Sequence, residues 1–267
     1  MRIGLFFSAE AMSGAFSGLL AAAIVQMDGI AGIAGLAGWQ WIFLLEGLFT
    51  VFFEAMTAFI LPITPHQAIS LTAAQAEIIV KRLETDVLAV ESSRFNMKAL
   101  LSTFKDLHIW LLGIALFCNG SSLFGLACFT PIIVQGLGYD STKTQPLTVP
   151  PYAIAFFVTL FSAYMADRYK ARGITAICTT LLAPIGFAMF LEGETIVIQY
   201  TATCFMITGV YSSASSLISW MPNNTAAHIR RATAVALGLI LTNAGRVIST
   251  WIYPKSAAPG CKFAAKL

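Results

Sequence analysis

Four ionisable residues stand in stretches that are otherwise apolar. Glu10 lies in the run 3–25, Glu46 and Glu54 in 39–61, and Arg246 in 232–253. A charge inside a lipid-spanning helix costs about 2.5–3.5 kcal/mol on insertion scales, so each of these side chains must face protein or water. Two chemistries suit such carboxylates. One is proton carriage, because burial favours the neutral acid over the anion; Glu10 and Glu46 are the candidates, ahead of Glu54, which precedes Pro62 closely. The other is structural, an inter-helix hydrogen bond or a pairing with Arg246. Uncharged polar residues also cluster in apolar runs: Asn119, Ser121 and Ser122 in one, and Tyr211, Ser212, Ser213, Ser215 and Ser216 in another. A water-filled cavity needs such groups, but a tightly packed serine face has the same composition, and both readings stand.

Other chemistries lack their residues. Cys118, Cys128, Cys178, Cys204 and Cys261 form no Cys-x-x-Cys or Cys/His spacing, so neither a metal site nor a disulfide framework is expected. The three histidines, His66, His108 and His228, all lie near predicted loops. There is no Gly-x-x-x-x-Gly-Lys-Ser/Thr loop for a nucleotide, and no His-Glu-x-x-His or Gly-x-Ser-x-Gly motif for hydrolysis. No cofactor and no enzyme activity is therefore expected. A net charge of +3 is too small to indicate nucleic-acid binding.

These residues must be positioned by helices in a bilayer. The chain has 267 residues, of which 57 % are hydrophobic and 11 % charged, with a mean hydropathy of +0.77. A soluble domain is about 45–50 % apolar and about 25 % charged, so this chain cannot cover its surface in water. Spans of about 20 apolar residues are predicted at 3–25, 39–61, 109–135, 149–166, 174–191, 196–220 and 232–253. They are too long for strands and lack period-2 alternation. Met1-Arg2 with the following apolar run superficially resembles a signal peptide, but Glu10 interrupts the run and its length favours a first span. The fold class is an all-α polytopic membrane bundle of about seven transmembrane helices.

Orientation follows from lysine and arginine in the connections. Arg2, Lys81, Arg82, Arg94, Lys98, Lys105, Arg168, Lys170, Arg172, Arg230 and Arg231 fall on one side, and before the tail Lys143 alone falls on the other. The N-terminus and the loop 63–108 are thus expected in the cytoplasm, although Lys255, Lys262 and Lys266 in the tail run against the rule. Within the long loop, Thr72-x-x-Gln75 predicts a capping box. Ile78, Ile79, Leu83 and Val87, and then Met97, Leu100, Leu101 and Phe104, recur at helical spacing, as expected of helices lying on a membrane surface. Gly14-x-x-x-Gly18 predicts close helix approach. Pro131, Pro150, Pro151 and Pro184 lie in or at the ends of spans, where neighbours can satisfy the freed carbonyls. Asn119-Gly-Ser and Asn223-Asn-Thr match the glycosylation pattern, but a span and a cytoplasmic position make both fortuitous.

Several runs carry a resemblance. Gly38-Trp-Gln-Trp-Ile-Phe-Leu-Leu-Glu-Gly-Leu-Phe-Thr50 followed by Leu61-Pro62 resembles the sixth span of the fungal anion:cation symporters, the allantoate permease-like branch of the major facilitator superfamily. Arg2–Ser8 and Gly14–Leu20 are similar to its fifth span, Leu137-Gly-Tyr139 and Leu147-Thr-Val-Pro-Pro-Tyr-Ala153 to the approach to its eighth, and Ala166-Asp-Arg-Tyr-Lys-Ala-Arg-Gly173 to the basic loop after it. Trp220, Asn223-Asn224, Arg230-Arg231-Ala232 and Asn243 resemble its tenth and eleventh spans. The resemblance implies a partial major facilitator fold. Residues 1–62 would be the last two helices of the N-terminal bundle, 63–108 the inter-bundle linker, 109–254 five helices of the C-terminal bundle, and 255–267 a divergent tail.

The function so implied is secondary active, proton-coupled uptake of a small organic anion or vitamin-like carboxylate by alternating access, in the plasma membrane, with substrate bound near the midplane. Its partners would be that anion, protons and the bilayer, with no nucleotide or nucleic acid. Asn119, Ser122, Tyr211 and Ser215 are then the substrate-binding candidates, Glu10 and Glu46 the proton-coupling ones, and Asp167, Arg168 and Arg172 a gating loop. The same basic loop also reads as a plain positive-inside anchor. Arg246 follows Gly245 where the family carries a glycine pair, so it is either an anion contact or a damaging substitution. Only spans five to eleven of twelve are matched, which keeps a second expectation open: a transport-inactive membrane protein that at most associates with others.

Overall fold

The computed structural model describes residues 2–25, 37–61, 72–88, 97–136, 141–225 and 228–252. Among these the regular elements are helices: α1 (Arg2–Val25), α2 (Gly38–Ile60), α3 (Ala73–Leu88), α4 (Met97–Phe104), α5 (Leu107–Gly136), α6 (Ser141–Arg168), α7 (Arg172–Glu192), α8 (Ile196–Asn223) and α9 (His228–Ile252). Each predicted span coincides with one of them, although 39–61 and 232–253 run past the ends of α2 and α9 at Ile60 and Ile252. The tail lysines, Arg94 and the Leu137–Tyr139 run lie outside the described residues.

Six of these helices are long and apolar enough to cross a membrane: α1, α2, α5, α6, α7 and α9. The seventh expected span, α8, is long enough but carries Tyr200, Tyr211 and a run of serines among its apolar residues, and its place in the fold accommodates them. It packs against α5, α6, α7 and α9, and fifteen of its residues between Ala202 and Met221 are buried. A helix solvated by other helices does not need the apolar surface that lipid demands. By contrast, α7 presents Ile174, Ile177, Leu181 and Ile185 outward at helical spacing.

The chain divides into two compact units, residues 1–19 with 97–267, and residues 20–96. The first is a bundle around α8. Glycines set its helix spacing, because with no hydrophobic drive between helices in lipid, close van der Waals packing must hold them. A Cβ at Gly186 of α7 would lie 2.6 Å from the Met206 nitrogen of α8, and one at Gly209 would meet the Ala183 backbone in return. The α5–α9 pair closes in the same way, with Gly120 against the Thr242 carbonyl and Gly245 against that of Phe117. The expected Gly14-x-x-x-Gly18 approach is realised on α6, where Gly14 faces the Tyr152 ring and Gly18 faces Gln145.

Helix α6 begins at Ser141, eight residues before the predicted span, and carries Pro146, Pro150 and Pro151 inside it. A proline leaves the carbonyl four residues earlier without its helical donor. For Pro151 that carbonyl belongs to Leu147, and the Tyr200 hydroxyl of α8 donates to it at 2.9 Å. A neighbouring helix thus replaces the missing bond, so the helix can run through its prolines.

In the second unit, Thr72 caps α3. Its N–H donates to Gln75 Oε1 at 3.1 Å, and its hydroxyl donates to the same oxygen at 2.9 Å, giving half of the expected reciprocal box. Helix α4 belongs to the first unit and packs on α9 and α5. Thr103 is its buried residue, while Met97, Leu101 and Phe104 are exposed.

Candidate functional site

Small residues let the first turns of α1 settle on the bundle. Ala11 and Ala15 are buried in one core cluster with Tyr152 of α6, Tyr211 of α8, and Leu123 and Leu126 of α5. The two tyrosine rings meet edge to face, with centroids 5.7 Å apart, an arrangement favoured by the ring quadrupoles. The Tyr152 side chain also reaches Thr130 of α5, whose hydroxyl donates to the Leu126 carbonyl at 2.5 Å.

Beside this cluster, Glu10 of α1 meets Arg246 of α9, Oε1 to Nη2 at 3.7 Å. The close fit of Gly245 on α5 holds the α9 backbone at this point. About a third of each side chain stays accessible, 32 % for Glu10 and 37 % for Arg246. The pair is an ion contact longer than a hydrogen bond, and the buried Arg246 Nε has no hydrogen-bond partner. The site is therefore a half-open cation and carboxylate beside the buried Tyr211, whose ring in turn meets Tyr152. Such an arrangement can hold an anion and exchange a proton.

Asn119 of α5 bridges to α8 with its amide nitrogen, donating to Ser213 Oγ at 2.6 Å and to the Val210 carbonyl at 3.1 Å. Ser122 is half-buried one turn further along α5. Tyr211 is buried, and Ser215 donates to the Ser212 carbonyl within its own helix at 2.9 Å. Ser212, Ser213 and Ser216 likewise donate to backbone carbonyls of α8. The hydroxyl cluster thus serves first to satisfy itself inside an apolar bundle. The structure gathers Glu10, Arg246 and Tyr211 into one place. Glu46 and Glu54 belong to the second unit, where both are exposed on α2.

A second polar site lies at the end of the bundle where α6 and α8 finish and α7 and α9 start. Arg172 donates to Asp167 at 2.8 Å and to the Ser219 carbonyl at 3.3 Å. Arg168 is exposed beside them. An open cavity of about 640 Å³ is lined here by Asp167, Lys170, Arg172, Trp220, Asn223 and Asn224 among others. Lys170 has φ of 51°, a left-handed turn conformation. A smaller cavity of about 340 Å³ reaches inward past Ser215, Ser216 and Ser219.

At the same end, Asp106 caps α5 by accepting the His108 N–H at 3.2 Å and pairs with Arg230 of α9 at 2.9 Å. Asn224 Nδ2 lies 3.3 Å from His108 Nε2, and the His108 and Trp220 rings meet edge to face. Sequence reasoning did not single out Tyr152, Thr130, Tyr200 or Asp106. Their signals were weak but present: lone hydroxyls in apolar runs, and an acidic residue just before a span.

A family model described as Major Facilitator Superfamily matches residues 1–250. The chain belongs to the Major Facilitator Superfamily. Superfamily relatives include an uncharacterized transporter of Schizosaccharomyces pombe, 31 % identical over 253 residues that make up 94 % of this chain and 50 % of that protein. A high-affinity nicotinic acid transporter of Saccharomyces cerevisiae is 27 % identical over 259 residues, 97 % of this chain and 48 % of the relative. The MFS transporter prlL of Fungal sp. is 27 % identical over 261 residues, 97 % of this chain and 52 % of the relative. The chain spans about half the length of the curated relatives it matches. The superfamily and its apolar helices make it an integral membrane protein with a partial major facilitator fold, akin to transporters and not to enzymes.

Proposed function

We propose that this chain serves secondary active, proton-coupled uptake of a small organic anion or vitamin-like carboxylate, by alternating access, in the allantoate permease-like branch. The observation that carries the reading is the Glu10–Arg246 contact, which puts a protonatable carboxylate beside a guanidinium in the middle of an apolar bundle. A cation inside a span calls for an anionic partner, and the name of the nicotinic acid relative supports a carboxylate. Arg246 is the anion contact and Glu10 the proton-coupling residue, with Glu46 as a second proton candidate. Tyr211, Asn119, Ser122 and Ser215 are the substrate-side polar residues.

Residues 1–62 are assigned to the N-terminal bundle, 63–108 to a cytoplasmic linker, 109–254 to the C-terminal bundle and 255–267 to a divergent tail. The Asp167 end gathers Lys105, Arg168, Lys170, Arg172, Arg230 and Arg231, which supports a cytoplasmic placement of that end and of the N-terminus. Asp167, Arg168 and Arg172 are the gating loop there, in a plasma-membrane protein.

The test is uptake of labelled nicotinate by a host without its own carrier, expressing this chain and its Glu10→Gln variant, across external pH. Wild-type uptake should rise as pH falls, and Glu10→Gln should flatten that dependence. An unchanged pH profile in Glu10→Gln removes Glu10 from the coupling. No uptake from membrane-inserted chain supports the transport-inactive reading instead.

A further inference from the structure

Arg246 is the one described lysine or arginine of its unit that lies inside a helix beyond its first and last turns, the others standing in end turns or connections. A guanidinium carries five N–H donors in a planar fork that suits a carboxylate held by two bonds. Here that fork is poorly used. Its carboxylate partner stands at 3.7 Å, and its buried Nε is without an acceptor. A cation in an apolar bundle with unsatisfied donors is a site that gains by taking a better-placed anion. The titratable group facing the pair is Tyr211 from α8, and behind it stand Tyr152 from α6 and Cys128 of α5. Neither tyrosine supplies a charge near neutral pH.

We propose that Glu10 is a tethered counter-ion which the carboxylate of an incoming substrate displaces from Arg246, so that the site takes a monocarboxylate together with one proton. This rests on the transport reading above and adds substrate class and stoichiometry to it. Before binding, the site holds one positive and one negative charge. Afterwards the substrate carboxylate neutralises Arg246, and a proton from solution sits on Glu10. The site charge is unchanged and no covalent bond other than the carboxyl O–H is formed. Without that proton two carboxylates would share one cation, and like charges in so small a space oppose binding. A dicarboxylate would bring a second charge for which the described bundle offers no cation at this depth. The accessible third of each side chain leaves room for the exchange.

The experiment is calorimetric binding of benzoate to the purified full chain in detergent, in buffers of differing ionisation enthalpy, between about pH 5 and 8, the range in which benzoate is ionised. Wild type should take up about one proton per benzoate, with affinity falling up to about tenfold per pH unit at the alkaline end. In Glu10→Gln, proton uptake should vanish and affinity should equal or exceed the wild-type acid limit. Glu10→Asp, which keeps the titratable group, should retain proton uptake and covers the case in which the glutamine variant does not fold. Arg246→Gln should weaken benzoate by at least about tenfold, the loss of a charge-assisted pair. Succinate should bind wild type at least about tenfold more weakly than benzoate. Proton uptake that persists in Glu10→Gln, or succinate binding as tightly as benzoate, overturns the exchange while leaving a carboxylate transporter intact. Wild type that binds neither acid at any pH overturns the transport reading together with the exchange.

Discussion

Single side chains in this bundle matter according to what they leave unsatisfied when removed. Asn119 supplies two inter-helix hydrogen bonds to α8, and such bonds in membrane bundles are worth about 0.6–1.7 kcal/mol. Asn119→Ala should therefore lower stability by about 1 kcal/mol in reversible denaturation in micelles. Tyr200→Phe should cost about 1–2 kcal/mol, because the Leu147 carbonyl loses its donor at a position where Pro151 offers no N–H. Tyr169, exposed at the α6–α7 turn, is the control, and Tyr169→Phe should be neutral in the same measurement. That a carboxylate could pair with Arg246 was legible beforehand as one alternative, because charges in apolar spans are few, but which of Glu10, Glu46 and Glu54 would do so was not. Tyr152 was not. A tyrosine after two prolines carries no mark of the ring it will meet, and Tyr211 lies far from it in sequence.

Between helices, contact depends on glycine. At Gly209 a side chain would collide with the Ala183 backbone, which cannot rotate away as a flexible side chain would. Gly209→Val should force α7 and α8 apart and cost about 1–3 kcal/mol or more, read as a loss of monodisperse protein on gel filtration and a lower melting temperature. Gly47, with open space around it, is the comparison position, and Gly47→Ala should be tolerated. The turn between α6 and α7 gives the opposite case. Lys170 holds a left-handed conformation that costs a non-glycine residue about 1–2 kcal/mol, so Lys170→Gly should stabilise the fold by part of that amount. Helix existence was readable from apolar run length, since lipid admits no other open-ended structure. The start of α6 was not, because its prolines look like a boundary until a donor from another helix is seen.

At the scale of the bundle, α1, α5, α7 and α9 start at one end. Asp106–Arg230 and Asp167–Arg172 both lie there, while the α7–α8 connection at Glu194 lies at the other. In a background without native cysteines, Lys105→Cys and Lys170→Cys should react with a membrane-impermeant maleimide from the same side. Glu194→Cys should react from the opposite side. Labelling of all three from one side would break the proposed topology. Packing within the bundle brings two residues distant in sequence, Glu10 and Arg246, into contact.

The sequence by itself determined that this is a helical membrane protein, where its helices lie, and which charged residues had to be reconciled with lipid. Those properties are local: apolar length, basic loops and rare intramembrane charges act within one span or its flanks. Only the tertiary structure decided that α8 is the buried centre, that its serines bond their own backbone, and that Tyr211 links Tyr152 to the Glu10–Arg246 pair. The physical reason is that helix packing in lipid rests on shape, on which glycine admits which neighbour, and shape complementarity between distant segments leaves no trace in the periodicity of either one.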